Sequence, residues 1–551
     1  MGGAAGLGVS LAGHLRGTPE GGPGLRVVET HISVLLLGAT RAWKLKKPLT
    51  LDFLDFGSVA ARRHACEEEL RINRRTAPQV YRAVRPVLGP AHAPRLGRAD
   101  DAGDAAQAID WVVEMHRFDE RQGLDRLAER GALTPDVIDR MAQAMAALHG
   151  PAPLDADAGA VPAAAEELPP VAPDNLRHWV DDNFASLRTQ PDAAPWQAEI
   201  AALQRWSEAR HARLAPLIAA RHHGGRVREC HGDLHLGNWV LIDGVPVAFD
   251  AIEFEPRLRW LDVVADLAFP FMDLRARGRH GLAWRLVNAW FEQTGDFDGA
   301  PLLAWCAVYC ALVRVKIALI EAAQAGDDTD RRAAARARAR AGLDLAQVLA
   351  REAEARPVLF ALGGLSGAGK STVGQCCVER FGALRLRSDV ERKRLAGMAP
   401  RQRPGQDGAP DAAQLYGREV TERTYARLGA LAQRLLAGGL SVVFDAASLR
   451  VDERASRRQL ADAAGAHHLL LHCVAPPTVL AARLQARQAR GDDPSDADAA
   501  VMARQRTFAE PLTAAEQAEA VVIDTDRPQA TLCAAVAQQV GAALAAARAG
   551  P

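Results

Sequence analysis

The sequence predicts a chain of two folded parts, an α+β part in front and an α/β part with a parallel sheet behind it. Three observations carry this reading. The chain has 551 residues, and a prior of ~150 residues per domain suggests two to four domains. Strand-forming runs dominate the front and give way to helical periodicity. Beyond Pro357 strand-like and helix-like segments alternate, which implies right-handed crossovers and a parallel sheet.

Residues 1–24 are rich in Gly and lack a basic region followed by a sustained apolar core, so they read as a loose leader rather than a signal peptide. "HISVLLLGATRAWKLKK" (31–47) reads as a hairpin around a turn containing Gly38. A helix follows over 57–75, then a buried strand in "AIDWVVEMHRF" (108–118). "TPDVIDRMAQAMAALHG" (134–150) is a helix with Thr134 as N-cap, Pro135 in its first turn and Gly150 as its stop. Pro, Ala and acidic side chains make 151–175 an exposed loop, and 176–220 is helical. "LLAWCAVYCALVRVKIALI" (302–320) is the most membrane-like stretch, but Arg314 and Lys316 interrupt it and it reads as a buried helix. A charged helix over 327–357 is closed by Pro357. After it come five strands, in "PVLFALGG", "ALRLRSD", "LSVVFDAA", "HHLLLHCVA" and "AVVIDTD". The expected domains are therefore a leader (1–24), a front domain (25–345), a linker helix (346–356) and a rear domain (357–551).

Composition excludes several classes. Lys plus Arg and Asp plus Glu both number 67, so no general basic surface draws a nucleic acid, and aromatic residues for base stacking are few. The eight cysteines have no CxxC pair and no metal-ligand rhythm; scattered thiols suit a reducing compartment, and a cytoplasmic protein without membrane or nucleic-acid partners is expected. Composition leaves the oligomeric state open.

In the rear part, "GLSGAGKS" (364–371) fits G-x-x-x-x-G-K-[ST] between an apolar strand and a helix. The glycines let backbone N–H groups converge on phosphate oxygens, so Gly364, Leu365, Ser366, Gly367, Ala368, Gly369, Lys370, Ser371 and Thr372 form the expected ATP cradle. Lys370 reaches the β/γ-phosphates and Ser371 ligates Mg2+ in this reading. Asp389 and Arg392 stand just past the second strand in a D-x-x-R arrangement. Asp445 ends the third strand and either holds magnesium through water or orients a substrate hydroxyl. Arg483, Arg487 and Arg490 lie on a helix running into an acidic loop, either as a lid over the phosphates or as a solvated face. The ensemble resembles the small P-loop kinases of the shikimate and gluconate kinase type over about residues 357–550. That resemblance implies phosphoryl transfer from ATP to a small hydroxyl-bearing acceptor, with Asp389, Lys370 and Arg392 catalytic and Arg487 and Arg490 on the nucleotide. An AAA-type motor would need further regions that the sequence does not offer.

Ahead of this, "HGDLHLGNWVLIDGVPVAFD" (231–250) matches the spacing H-R-D-x-x-x-x-N followed by a hairpin and a metal-binding Asp. Asp233 is placed to take the acceptor's proton, and Asn238 and Asp250 to hold the metal. With Gly in place of Arg, the motif resembles the aminoglycoside phosphotransferase and choline kinase superfamily, over about residues 25–345. The resemblance implies a protein-kinase-like bilobal fold, ATP and Mg2+, a strand lysine and a helical glutamate. Lys44 fills the first role, with Lys46 as its rival on the same face. Glu67, Glu68 and Glu69 offer the second, with Glu69 favoured. Backbone groups around Glu114 to His116 would meet adenine; Asp262 and Asp266 are read as structural. No GxGxxG precedes the lysine strand. The tandem layout resembles a bacterial group of two-domain proteins with these same halves.

The function expected is that of an ATP-dependent phosphotransferase on small hydroxyl-bearing molecules, with two separate ATP/Mg sites. The alternative is that only the P-loop domain is catalytic and the front senses a nucleotide or ligand. Aminoglycoside resistance ranks lower, because the helical half of the front has no acidic cluster for a polycationic drug.

Overall fold

The computed structural model describes residues 4–51, 54–151, 170–406, 408–490 and 493–549. Most of the expected 151–175 loop lies outside the described residues. The chain divides into two compact units. The first takes in the residues up to His149 and Gly225–Pro270, and the second takes in Arg177–Gly224 and everything from Phe271 onward.

In the first unit, β1 (Arg26–Glu29), β2 (Ser33–Leu37), β3 (Arg41–Lys46), β4 (Tyr81–Leu88), β5 (Arg95–Leu96) and β6 (Asp110–His116) form an antiparallel sheet in the order β1-β2-β3-β6-β4-β5. The alternation of β3 assigns its two faces. Trp43 and Leu45 join a core with Leu36 and Val112, while Ala42 packs with Cys66 and Val113. The second face is covered by α2 (Val59–Asn73), whose N-cap Ser58 accepts the Ala61 N–H. The first is covered by α1 (Ala4–Leu15), a correction to the loose leader expected over 1–24. Leu11, Ala12 and Leu15 are at most 2 % exposed against that sheet. Burying two leucines contributes roughly 1.5–3 kcal/mol each, enough to hold a Gly-rich helix in place. The rest of this unit includes α3 (Pro135–His149) and the hairpin of β7 (Trp239–Ile242) and β8 (Val245–Ala248), which turns at Asp243-Gly244 as expected.

The second unit holds α4 (Gln197–His223), α5 (His280–Thr294), α6 (Leu303–Gln324) and α7 (Thr329–Ala353). The sequence reading had put these helices in or beside the front domain; in the structure they group with the rear sheet. The expected linker helix over 346–356 is the end of α7, whose Ala335, Ala339, Leu343, Ala346 and Leu349 are buried along one face. The stretches Phe297–Gln324 and Gln529–Ala547 are long and apolar enough to cross a membrane by length and composition. In the first, Trp305, Cys306, Val308 and Cys310 are buried inside the protein, while Arg314 is exposed.

The five rear strands all form, as β9 (Val358–Gly363), β10 (Ala383–Arg387), β11 (Ser441–Asp445), β12 (His467–Val474) and β13 (Val521–Asp524). They pair in parallel in the order β10-β11-β9-β12-β13. Among their helices are α8 (Lys370–Phe381), α9 (Ser388–Leu395), α10 (Pro477–Arg490) and α11 (Gln529–Ala549). β9 is buried along its whole length, as the central strand of a parallel sheet must be.

One expectation about the cysteines is corrected. Cys376 of α8 is bonded to Cys533 of α11, across a sequence separation of 157, because those two helices pack side by side on the sheet. The remaining six cysteines are buried. Closing so long a loop removes unfolded-chain entropy and is worth about 2–5 kcal/mol. Calorimetry checks this: Cys376→Ser should lower the melting midpoint by several degrees, and reductant should lower the wild type equally while leaving the variant unmoved. Equal midpoints with and without reductant would remove the bond from the account of stability.

Candidate active sites

The front site is built where α2, β3 and the loop before and after β7–β8 meet. Lys44 Nζ lies 2.9 Å from Glu69 Oε1 and 2.5 Å from Asp250 Oδ1. Lys46, two residues along and so on the same face, pairs with the other oxygen of Glu69 and with Glu253. Glu69 is fully buried and shared by both lysines. Glu67 pairs instead with Arg63, and Glu68 with Arg71 and Arg259. Burial disfavours the Lys44 ammonium, but Asp250, Glu69 and Glu253 outweigh it and hold its pKa well above the usual lysine value. Glu253, missed in the sequence, sits so deep that burial raises its own pKa.

Asp250 is held in the left-handed region at φ 64°, with its N–H donated to the Tyr81 hydroxyl at 3.1 Å. The next N–H, from Ala251, goes to Asn73 Oδ1, and the Asn73 amide in turn donates to the Glu69 carbonyl. One face of α2 thus fixes both the lysine partner and the loop carrying Asp250.

The HGD loop hangs from Asp266. Its carboxylate accepts the N–H groups of His231 at 3.1 Å and Gly232 at 3.0 Å, and lies 3.0 Å from His149 Nε2. His231 donates from Nε2 to the Phe249 carbonyl, tying the loop to the end of β8, and burial lowers its pKa. Gly232 has φ 84°, and a Cβ there would stand 2.7 Å from the Leu258 carbonyl oxygen. That close approach explains why Arg of the protein-kinase pattern is replaced by Gly. The Asn238 amide donates to the Asp233 carbonyl at 2.8 Å and to its carboxylate at 3.3 Å, and His235 stands 3.4 Å from the same carboxylate. The loop therefore brings Asp233 and Asn238 together.

The expected adenine-binding segment, Glu114 to His116, forms the end of β6. That strand pairs with β3 on one side and β4 on the other, and the His116 N–H is donated to the Val80 carbonyl at 2.8 Å. The Glu114 side chain is caged by Arg41, Arg82 and Arg85.

The rear site forms at the carboxyl ends of the parallel strands, where open α/β sheets bind their ligands. Gly364 leaves β9 at φ 131°, and a Cβ there would lie 2.5 Å from the Cys473 carbonyl oxygen of β12, so the loop passes the neighbouring strand only as glycine. Lys370 folds back over the loop and donates to the carbonyls of Gly364 and Leu365 at 2.8 and 2.9 Å. Burial pushes its pKa below the usual value, against the pull of Asp445. The Ser366 N–H is taken by the Gln505 side chain at 2.8 Å, a partner the motif gave no sign of.

A cavity of about 1140 Å3 opens over this loop, lined by Ser371, Arg387, Asp389, Arg392, Asp445 and Arg487, among others. Burial raises the Asp389 carboxyl. Arg392 donates to Thr421 Oγ1 at 2.9 Å and lies 4.9 Å over the Tyr416 ring, while its buried Nε has no hydrogen-bond partner among the described residues. Of the lid arginines, Arg483 is committed to Thr525 and the Gly367 carbonyl. Arg487 donates to the Ala497 carbonyl, and Arg490 lines the cavity.

The donors suit Mg2+, a hard cation that takes oxygen ligands. Asp445 Oδ2 is buried without a hydrogen-bond partner among the described residues, and Ser371 lines the same cavity. In front, the Asn238 amide and Asp250 carboxylate offer oxygen donors of the same kind.

Asp266 yields a test. Burial disfavours its charge, but His149, His231 and the hydrogen bonds they make hold its pKa below the usual carboxylate range. A depressed folded pKa stabilises the fold above the ordinary aspartate value of about 4 and loses that contribution as pH falls through the folded value. Asp266→Asn should therefore lower stability by roughly 1–3 kcal/mol at neutral pH, with the gap narrowing below about pH 4. Denaturant titrations across that range check the sign, and a gap independent of pH would refute it.

Comparison with known proteins adds relatives to this geometry. A family model described as an AAA domain matches residues 359–512. An uncharacterized protein of Mycobacterium tuberculosis is 30 % identical over 489 residues, 87 % of this chain and 90 % of that protein. An uncharacterized protein of Mycobacterium bovis matches to the same extent. Among solved structures, a putative kinase from Chloroflexus aurantiacus is 21 % identical, with a TM-score of 0.27, covering 34 % of this chain and 99 % of its own. A choline/ethanolamine kinase family protein from Mesorhizobium loti is 14 % identical, with a TM-score of 0.31, covering 61 % and 98 %.

Proposed function

The chain belongs to the family of these mycobacterial proteins, and from that premise we propose that it is an ATP-dependent phosphotransferase acting on small hydroxyl-bearing molecules at two separate sites. The observation that carries the proposal is the rear cavity. A complete phosphate loop, the raised Asp389 carboxyl, Arg392 and Asp445 all meet there.

In the rear site Asp389 takes the proton of the acceptor hydroxyl. The freed oxygen attacks the γ-phosphorus of ATP as the bond to the β–γ bridging oxygen breaks. The charge that builds on the departing ADP is met by the N–H groups of the loop. Lys370 meets it too, exchanging its two carbonyl partners for phosphate oxygens. Arg392, held by Thr421 and stacked on Tyr416, lines the cavity and offers its guanidinium charge to the acceptor. Ser371 and Asp445 would hold Mg2+, which when bound neutralises phosphate charge. In the front site Asp233 plays the part of the base and Lys44, held by Glu69, faces the phosphates. Asn238 and Asp250 would hold the metal there.

A second reading has a specific observation behind it. The matching family model is described as an AAA domain, so the rear part would hydrolyse ATP with no acceptor while the front senses a ligand. The experiment separates the two. ATP turnover and phosphate transfer are measured for wild type, Asp233→Ala and Lys370→Ala against a pool of small hydroxylated metabolites. Each variant is expected to abolish one transfer activity and leave the other, and Lys370→Ala should weaken nucleotide binding about tenfold or more. Transfer untouched by Asp233→Ala would make the front a binding module. ATP hydrolysis with no acceptor labelled would favour the second reading.

A further inference from the structure

Helix α5 precedes the phosphate loop in the sequence and contributes nothing to any motif, yet it packs along β10, the edge strand of the rear sheet. The contact is polar and specific. Asn288 Oδ1 accepts the Arg385 N–H at 2.7 Å, occupying the edge where no further strand pairs. One turn on, Glu292 takes Arg387 on one carboxylate oxygen and Arg385 on the other, each at 3.3 Å. Arg394 of α9 donates to the Glu292 carbonyl at 2.5 Å. Burial disfavours the Glu292 carboxylate, but Arg387 and Arg385 hold its pKa below the usual range.

Both arginines continue into the rear site. Arg385 donates to the Ser371 carbonyl at 2.9 Å, in the first turn after the phosphate loop. Arg387 lines the large cavity and stands 3.9 Å from Asp445 Oδ2 and 3.4 Å from Asp493 Oδ1, just past the end of α10. A planar guanidinium presents its donors in a fixed fork, so a partner gripping one edge decides what the other edges meet. The Arg387 and Glu292 side chains are only 11 % and 16 % exposed, so water does little to loosen the grip.

We propose that Glu292 is a positioning residue of the rear phosphotransfer site, setting the Arg387 guanidinium between Asp445 and Asp493 and tying Arg385 to Ser371. The proposal rests on the rear kinase reading. It makes α5 part of that site, although no boundary drawn from sequence would include it.

The test uses the full chain carrying Asp233→Ala as the parent of every variant, so that turnover reports the rear site, and follows ATP turnover and binding of a fluorescent ATP analogue. Glu292→Gln should lower kcat about 10- to 100-fold while analogue affinity stays within about twofold, because the phosphate loop itself is untouched. Glu292→Asp should recover most of the loss. Arg387→Lys should reproduce it, and the double variant Glu292→Gln/Arg387→Lys should lose little more than either single one. Turnover in Glu292→Gln within twofold of the parent, losses that multiply in the double variant, or a parallel fall in nucleotide binding would each overturn the assignment. Turnover of the Asp233→Ala chain that survives Lys370→Ala sinks the rear kinase reading, and this proposal with it. Lys370-dependent turnover indifferent to Glu292→Gln sinks this proposal alone.

Discussion

A carboxylate taken out of water has to be matched where it stands, and this constraint organises both halves of the protein. In front, Asp266 is matched by two backbone N–H groups and a histidine, and the HGD loop takes its shape from that. Glu69 is matched by two lysines, and the register of β3 against α2 follows. In the rear, Glu292 is matched by two arginines from β10, and α5 is seated by the same contacts. Removing one partner in any of these leaves an uncompensated buried charge, which is far more damaging than losing a surface pair.

Much of this architecture could be read from the sequence, where it depends on residues near one another. The 31–47 hairpin, the β7–β8 turn and the five rear strands all rest on local alternation and turn chemistry, and all are found. The phosphate loop also follows from a contiguous motif. What escaped depends on pairs far apart in the chain. Lys46 and Glu253 are separated by 207 positions, Ser366 and Gln505 by 139, and Arg387 and Glu292 by 95. The Cys376–Cys533 bond belongs to the same class.

Two readings fall short for a different reason. The leader was judged by its glycines, yet Leu7, Leu11 and Leu15 recur every fourth residue and supply one apolar stripe for the sheet. The segment "VVEMH" was correctly seen as strand-like, but whether its edges are open or paired is a matter of sheet order, and β6 lies between two neighbours. Periodicity tells which face of a strand is buried and says nothing of which edges are taken.

The same constraint separates the two sites. In front, every charge is already answered from within: Lys44 holds Asp250 and Glu69, and Lys46 holds Glu69 and Glu253. A metal or phosphate arriving there has to displace an existing ion pair. In the rear, Asp445 Oδ2 and Arg392 Nε are buried with no hydrogen-bond partner among the described residues. Arg387 stands 3.9 Å from that Asp445 oxygen, and the Lys370 ammonium rests on two loop carbonyls, so the partners here are looser or uncharged. Lys44 in front would exchange carboxylate partners for a phosphate's oxygens, whereas Lys370 in the rear would exchange only neutral carbonyls.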